Sequence, residues 1–153
     1  MTRLRPSALR WATAVAVALL LAGGAGASHL GDGKKHKIVY QLDDAGLDRT
    51  RFVLTNIGNH VAGVGGWKSV ESLELVVFGP ALRHFVAKDM DAGVKQSLAD
   101  LLAQGLSFGA CGNTMKGLNV TLAEIAPGAK ALPQGGVVRI MELQEQGYSY
   151  IRP

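Results

Sequence analysis

Cysteine, aromatic residues and basic clusters are scarce in this chain, and each shortage excludes a class of protein. Its 153 residues include one cysteine, Cys111, so the chain cannot form an intramolecular disulfide and has no second thiol to resolve a redox reaction. Aromatic residues make up 6% of the chain, and no basic cluster is interleaved with them, as a nucleic-acid-binding surface requires. Internal repeats, heptad arrays and low-complexity segments are absent as well.

The excess of positive charge comes from the N-terminus. The chain has 16 basic and 12 acidic residues, a net charge of +4, and three of the basic residues are arginines within residues 1–27. Without them, 13 basic residues face 12 acidic ones, a net charge of +1. We therefore expect no nucleic-acid partner, because the basic composition does not belong to the rest of the chain.

Residues 1–27 have the parts of a cleavable export signal. Three arginines within the first ten residues precede an apolar segment at 11–22, and a small-x-small cleavage site follows at 25–27. The apolar segment is shorter than the roughly 20 residues of a membrane-spanning helix. We expect cleavage after Ala27, which leaves a periplasmic or secreted chain of 126 residues with no membrane anchor. An uncleaved N-terminal anchor is the alternative.

Residues 28–36 are polar, basic and glycine-containing, a composition typical of a flexible lead-in to a domain at 37–153. His29, Asp32 and His36 could gather a metal ion. A solvated tail is the favoured interpretation, because no cysteine or close histidine pair supports a metal site.

Strand and helix patterns alternate through the domain. The helical patterns lie at 47–64, 91–105 and 137–146, with shorter ones at 81–88, 113–118 and 121–124. Helical crossovers connect strands that run in the same direction. We therefore predict an α/β fold, a three-layer α/β/α sandwich with a mostly parallel five-stranded sheet. The predicted strands are residues 38–42, 72–78, 106–110, 129–132 and 148–151.

Two other patterns carry no chemistry in this interpretation. The glycine cluster at 63–66 follows a helix, whereas a dinucleotide-binding glycine loop lies between a strand and a helix. Asp43 and Asp44 end the first strand without a third carboxylate or a histidine beside them. We interpret them as turn or capping residues in preference to acid/base or metal groups.

The candidate site lies where the third strand runs into a short helix. Cys111 is at this junction, and Gly112 and Asn113 supply a turn and a helix N-cap candidate. Backbone N–H groups and the positive end of a helix dipole favour a thiolate, and Lys116 could add positive charge. In a parallel sheet, ligands bind at the carboxyl ends of strands, which favours a functional thiol. An inert, buried cysteine is the alternative.

His84 follows the carboxyl end of the second strand and could approach Cys111 as a base or a charge partner. An ordinary surface histidine fits the sequence as well. A redox or metal-handling role for Cys111 with His84 ranks last, because there is no resolving cysteine and no defined ligand set.

Three segments resemble the DsrE/DsrF-like family: residues 75–79 (LVVFG), residues 108–115 (FGACGNTM), and residues 137–153, which include QGYSYI. The resemblance covers nearly all of the domain. It implies a small α/β protein of a kind that commonly assembles as a trimer or hexamer. Some members use a cysteine as a persulfide carrier in sulfur relay, and Cys111 matches a cysteine position common in the family. The export signal is a departure, because the best-understood members act in the cytoplasm.

The leading hypothesis is therefore a sulfur-transfer or sulfur-binding protein that carries sulfane sulfur as a persulfide on Cys111. Backbone groups of Gly112 and Asn113, with Lys116, would stabilise the anionic sulfur, and His84 would assist. This chemistry needs no metal and no organic cofactor, and its partners would be a sulfur donor and an acceptor protein. The alternative is a non-catalytic oligomeric binding subunit with a cleft near Cys111 for a small ligand or a partner.

Overall fold

The computed structural model describes residues 33–153, which form a five-stranded sheet with helices on both faces. The predicted signal at 1–27 and residues 28–32 of the predicted lead-in lie outside the described residues. The strands are β1 His36–Leu42, β2 Val70–Val77, β3 Ser107–Cys111, β4 Ala129–Leu132 and β5 Ser149–Ile151. The α-helices are α1 Leu47–Gly63, α2 Ala92–Gln104, α3 Gly112–Leu118 and α4 Gly136–Glu145. Short 3-10 helices cover Trp67–Ser69, Gly79–Phe85, Ala87–Asp89 and Leu122–Glu124.

The strand order is β4-β3-β2-β1-β5, and every neighbouring pair is parallel. The predicted parallel five-stranded sheet is confirmed. Strands β1 to β4 follow one another across the sheet, and β5 returns to the free side of β1. The carboxyl ends of all five strands, including Cys111 at the end of β3, therefore meet at one edge of the sheet.

The two faces of the sheet carry cores of unequal size. Side chains of β1 alternate between them: Tyr40 and Leu42 join the larger core, which packs α1, α2 and α3, while Val39 joins the smaller one. Within residues 33–153, α4 is the one helix that contributes to the smaller core. This arrangement confirms the three-layer α/β/α sandwich. The smaller core consists of Val39, Val76, Leu132, Ile140 and Leu143.

Two of the predicted helix signals are confirmed. The carboxylate of Asp91 accepts a hydrogen bond from the Val94 N–H at 3.0 Å and caps α2, which ends at Gly105 with φ 119°. Thr121 and Glu124 form the predicted capping box. Among residues 33–153, no helix is long and apolar enough to cross a bilayer.

Two local predictions were wrong. The segment at 81–88 is not one short helix but parts of two 3-10 helices, which bury Leu82 and Phe85 in the core, and the Phe85 carbonyl oxygen pairs with the Ala126 N–H. Asn113 is not the N-cap of α3: the helix begins at Gly112, and the extended backbone of Cys111 caps it. The first helical position requires glycine, since a Cβ there would lie 2.9 Å from the Leu132 carbonyl oxygen.

Candidate functional site

Cys111 is the last residue of β3 and the N-cap of α3, so its position is fixed by both elements. Its pairing partner in β4 is Leu132, just before the turn that leads into α4. The residue is 5% exposed, and its thiol forms no disulfide. The predicted location of the thiol, at the carboxyl edge of the sheet, is therefore the observed one.

Hydrogen-bond donors from two helix N-termini lower the pKa of the Cys111 thiol. They are the backbone N–H groups of Asn113 and Thr114 at the start of α3, the N–H of Gly136 at the start of α4, and the Thr114 hydroxyl. N–H groups in the first turn of a helix have no partner within the helix and are free to donate elsewhere. Burial raises the pKa of the Cys111 thiol, but these donors outweigh burial and hold the pKa below its ordinary value.

Close backbone approaches bring the start of α4 to Cys111. A Cβ at Gly136 would lie 2.7 Å from Cδ1 of Phe78, and Gly135 has a φ of 94° that favours glycine. On the other side, Gly112 approaches the backbone of Leu132. Gly112 and Gly136, at the starts of α3 and α4, are therefore required for the N-terminus of α4 to come this close to the thiol.

A cleft of about 310 Å³ opens beside Cys111. Apart from Cys111, none of the side chains that line it is ionisable, and Val137 and Val138, at 67% and 40% exposed, belong to its apolar lining. Cys111 is therefore buried beside an opening and is not enclosed by the core. The lining residues are Phe78, Gly79, Cys111, Asn113, Thr114, Gln134, Gly135, Gly136, Val137 and Val138.

The structure brings some of the predicted site residues together and separates others. Asn113 lines the cleft and donates its N–H to the sulfur, and Gly112 shapes the backbone beside it. Lys116 lies exposed in the last turn of α3 and is not among the lining residues. His84 is not among them either: its Nε2–H donates to the carbonyl oxygen of Ala45 at 2.8 Å.

Sequence reasoning missed Thr114, Gly136 and the apolar wall from α4. Thr114 is a first-turn residue of the helix that follows the cysteine, so its position was a usable signal. The approach of Gly136 had only a weak signal, the glycine pair before the last helix, because 25 residues separate it from Cys111.

Asp43 and Asp44 line a second cleft of about 260 Å³, where β1 ends. Asp43 pairs with Arg152 at 3.1 Å, and Oδ1 of Asp44 accepts a hydrogen bond from the Gly46 N–H at 2.7 Å. Asp44 is thus a turn residue, as predicted. Within residues 33–153, no group of three or more His, Cys, Asp or Glu side chains is placed to hold a metal ion.

No family model and no curated protein matches the chain, whereas several solved structures share its fold. MTH1491 from Methanobacterium thermoautotrophicum, a protein of unknown function, is 24% identical with a TM-score of 0.69, over 78% of this chain and all of that one. The ychN protein from E. coli, which has a DsrE-like fold, is 14% identical with a TM-score of 0.57, and the match covers 77% of this chain and 99% of that one. BT1422 from Bacteroides thetaiotaomicron, also of unknown function, is 15% identical with a TM-score of 0.52, and the match covers 76% of this chain and 94% of that one.

Proposed function

We propose that this chain is a sulfur-transfer or sulfur-binding protein that carries sulfane sulfur as a persulfide on Cys111. The observation that carries the proposal is the position of Cys111, at the N-terminus of α3 and in the lining of a cleft, where four hydrogen-bond donors lower the pKa of its thiol. Such donors favour the thiolate, which is the nucleophilic form of cysteine. The resemblance of residues 108–115 to the DsrE/DsrF-like family and the DsrE-like fold of ychN support the same function.

The proposed reaction consists of two thiolate displacements. The Cys111 thiolate attacks the terminal sulfur of a donor persulfide, a new S–S bond forms, and the donor leaves as a thiolate with the electron pair of the broken S–S bond. An acceptor thiolate then attacks the outer sulfur on Cys111, which leaves as a thiolate in turn. The transfer is neutral in electrons, so it requires neither a metal nor an organic cofactor.

A lowered pKa at Cys111 serves both displacements. It raises the fraction of thiolate available for the first attack, and it makes Cys111 the better leaving group in the second. Between the two steps, the outer sulfur lies in the uncharged cleft beside Val137 and Val138. Lys116 remains a proposed source of longer-range positive charge, and His84 remains a proposed assistant.

Mass spectrometry of the purified mature chain tests the proposal. After incubation with polysulfide or thiosulfate, we expect adducts of about 32 Da per sulfur atom on the wild-type protein, removable by dithiothreitol. The Cys111→Ser variant, which has no thiol, should gain none. Wild-type protein without adducts, or identical adducts on Cys111→Ser, would contradict sulfur carriage.

A non-catalytic, oligomeric binding subunit is the second candidate. The exposed apolar side chains of α4 favour it, because Val137, Val138 and Met141 lie beside the cleft or along the same helix. Under this alternative, the protein assembles as a trimer or hexamer and the cleft holds a small ligand or a partner segment. Cys111→Ala would then bind the partner normally, whereas a sulfur carrier would lose its function.

The cellular setting is part of the proposal. We infer that residues 1–27 are removed after Ala27 and that the mature chain acts in the periplasm or outside the cell, without a membrane anchor. Its sulfur donor and acceptor would then be molecules of the same compartment. An unpaired thiol is unusual in an oxidising compartment, which is consistent with a reactive role for Cys111.

A further inference from the structure

An ion pair between a buried carboxylate and a partly exposed guanidinium joins the sheet to α4. Glu74 of β2 is 5% exposed, and Arg139 of α4 donates from Nε and Nη2 to its two carboxylate oxygens at 2.9 and 2.8 Å. Burial of such a pair adds little to stability compared with apolar residues of the same size. Its two parallel hydrogen bonds do fix the direction and register of the helix that carries the arginine.

Gly109 of β3 leaves room for two neighbours, Leu132 of β4 and the Glu74 carboxylate, and a Cβ there would lie 2.8 Å from Cδ1 of Leu132. Glu74 lies opposite Ser107 in β3, close to Gly109, and a Cβ at Gly109 would lie 3.2 Å from Oε1 of Glu74. The smaller core beneath α4 includes only Ile140 and Leu143 from the helix itself. Because apolar contacts are non-directional, the bidentate ion pair adds a directional contact between α4 and the sheet, beside the close fit of Gly136 against Phe78.

The same pair connects to the wall of the cleft. Arg139 lies three residues after Gly136, whose N–H donates to the Cys111 sulfur. Its Nη1 lies 3.6 Å from Oε2 of Glu142, and that oxygen also accepts a hydrogen bond from Nε2 of Gln134 at 3.0 Å. Gln134 lines the cleft. A chain of charged and polar contacts thus runs from the sheet to the loop beside the thiol.

We propose that Glu74 and Arg139 are positioning residues for Cys111: the pair holds the start of α4 where the Gly136 N–H faces the sulfur. Neither residue touches the sulfur. The inference rests on the proposed function only in taking the thiolate as the reacting group, and its test needs no sulfur donor.

The test is the pH dependence of Cys111 alkylation by iodoacetamide in the mature chain. Rates are normalised to the plateau at high pH, which removes differences in access to the buried thiol. In Glu74→Gln and Arg139→Gln, the curve should move to higher pH, with roughly three- to tenfold lower rates at low pH, because one donor to the thiolate is lost. Arg139→Lys keeps the charge without the bidentate fork and should give a smaller shift.

Few other ionisable groups lie where their titration would affect the pH dependence of Cys111 alkylation. Cys111 is the only ionisable side chain among the residues that line the cleft. Lys116, the only charged side chain of α3, is exposed, and the charged side chains of α4 are Arg139, Glu142 and Glu145. The alkylation curve therefore reports Cys111 itself, and Lys116→Gln gives the size of the background effect of a nearby charge.

Arg51→Gln is the matched control. It breaks another ion pair between two elements, Arg51 of α1 with Asp91 at 2.9 Å, beside the larger core, and it should leave the curve in place. If a single variant at the Glu74 pair unfolds, Glu74→Leu/Arg139→Met removes both charges together. An unmoved curve in any folded variant of the pair, or an equal shift in Arg51→Gln, would overturn the positioning role. A shifted curve without sulfur loading would overturn the proposed function alone.

Discussion

At the residue scale, burial raises the pKa of the Cys111 thiol, and a hydrogen bond from the Thr114 side chain is the largest of the contacts that lower it. Oγ1 of Thr114 accepts a hydrogen bond from the Gly79 N–H at 2.9 Å, which leaves the single hydroxyl proton free to point at the sulfur. A hydrogen bond to a charged acceptor is stronger than a neutral one, so this contact favours the thiolate over the thiol. Thr114 therefore couples the loop after β2 to the ionisation of Cys111.

Thr114→Val should raise the pKa of the Cys111 thiol, because valine has the same shape but no proton to donate. Ultraviolet absorbance of the thiolate against pH measures the shift. The substitution also leaves the Gly79 N–H without its acceptor, and we expect a loss of about 1 kcal/mol in the free energy of unfolding. Thr114→Ser keeps the hydroxyl and should change the pKa little; an equal shift in both variants would contradict the role of the hydroxyl.

The sign of the accompanying change in stability follows from linkage. The folded pKa of Cys111 lies below its unfolded value, so the ionised thiol stabilises the fold. This contribution is complete above the unfolded pKa of roughly 8.5 and is lost as the pH falls through the folded pKa. The stability difference between wild type and Thr114→Val should therefore be larger at about pH 9 than at about pH 6 in urea denaturation.

Local sequence was informative about Cys111 and uninformative about its distant partner. The apolar run before the cysteine and the glycine after it located the thiol at a strand–helix junction. The residue type favoured Asn113 as the cap, but close approach to the backbone of Leu132 required Gly112 inside the helix. That approach and the donor from Gly136 depend on tertiary packing, which residue preferences do not encode.

At the element scale, the start of α4 is held against the sheet with little space to spare. Gly136 is buried, and the space that a Cβ would need is already taken by Phe78, whose Cβ and Cγ atoms would both lie 3.1 Å from it. The close fit accounts for a glycine at the first position of a helix, where glycine is otherwise costly in conformational entropy.

Gly136→Ala should displace either Phe78 or the start of α4 and destabilise the protein by about 1–3 kcal/mol. Since the Gly136 N–H moves away from the sulfur, the pKa of the Cys111 thiol should rise as well. Gly58→Ala in α1 is the matched control: no atom lies within 4 Å of its new Cβ, and we expect a gain of about 0.5–1 kcal/mol. Urea denaturation and thiolate absorbance measure both effects, and a stable Gly136→Ala with an unchanged pKa would contradict this account.

Helices with a clear apolar period or a capping residue were predictable from the sequence, whereas the irregular segment at 79–89 was not. The apolar stripes of α1 and α2 and the cap at Asp91 placed those helices within a few residues of their observed bounds. The segment at 79–89 has apolar residues that fit several helical spacings. Its path is set by tertiary pairing instead: the Phe85 carbonyl oxygen accepts a hydrogen bond from the Ala126 N–H at 2.8 Å.

At the scale of the whole molecule, strand order decides which segments meet. The alternation of strands and helices was enough to predict a parallel sheet, and with it the gathering of all carboxyl ends at one edge. It did not specify that β5 returns to the far side of β1. That return carries α4 across the face opposite α1, α2 and α3, and so places its first turn beside Cys111.

The two faces of the molecule also differ in what they leave uncovered. The face with α4 exposes Val137, Val138 and Met141 along the outer side of one helix, next to the cleft. The opposite face exposes Phe52 on α1, whose ring lies 5.6 Å beneath the Arg49 guanidinium. Contiguous exposed apolar residues are typical of an interface, whereas single ones are common on any surface.

We therefore expect the α4 face to form the subunit interface of the proposed trimer or hexamer. Met141→Glu should shift the mature protein toward monomer in size-exclusion chromatography with light scattering, because burial of an unpaired carboxylate opposes association. Phe52→Glu is the matched control, since Met141 and Phe52 are 50% and 49% exposed, and it should leave the assembly intact. A monomeric wild-type protein, or equal dissociation of both variants, would contradict an interface at the α4 face.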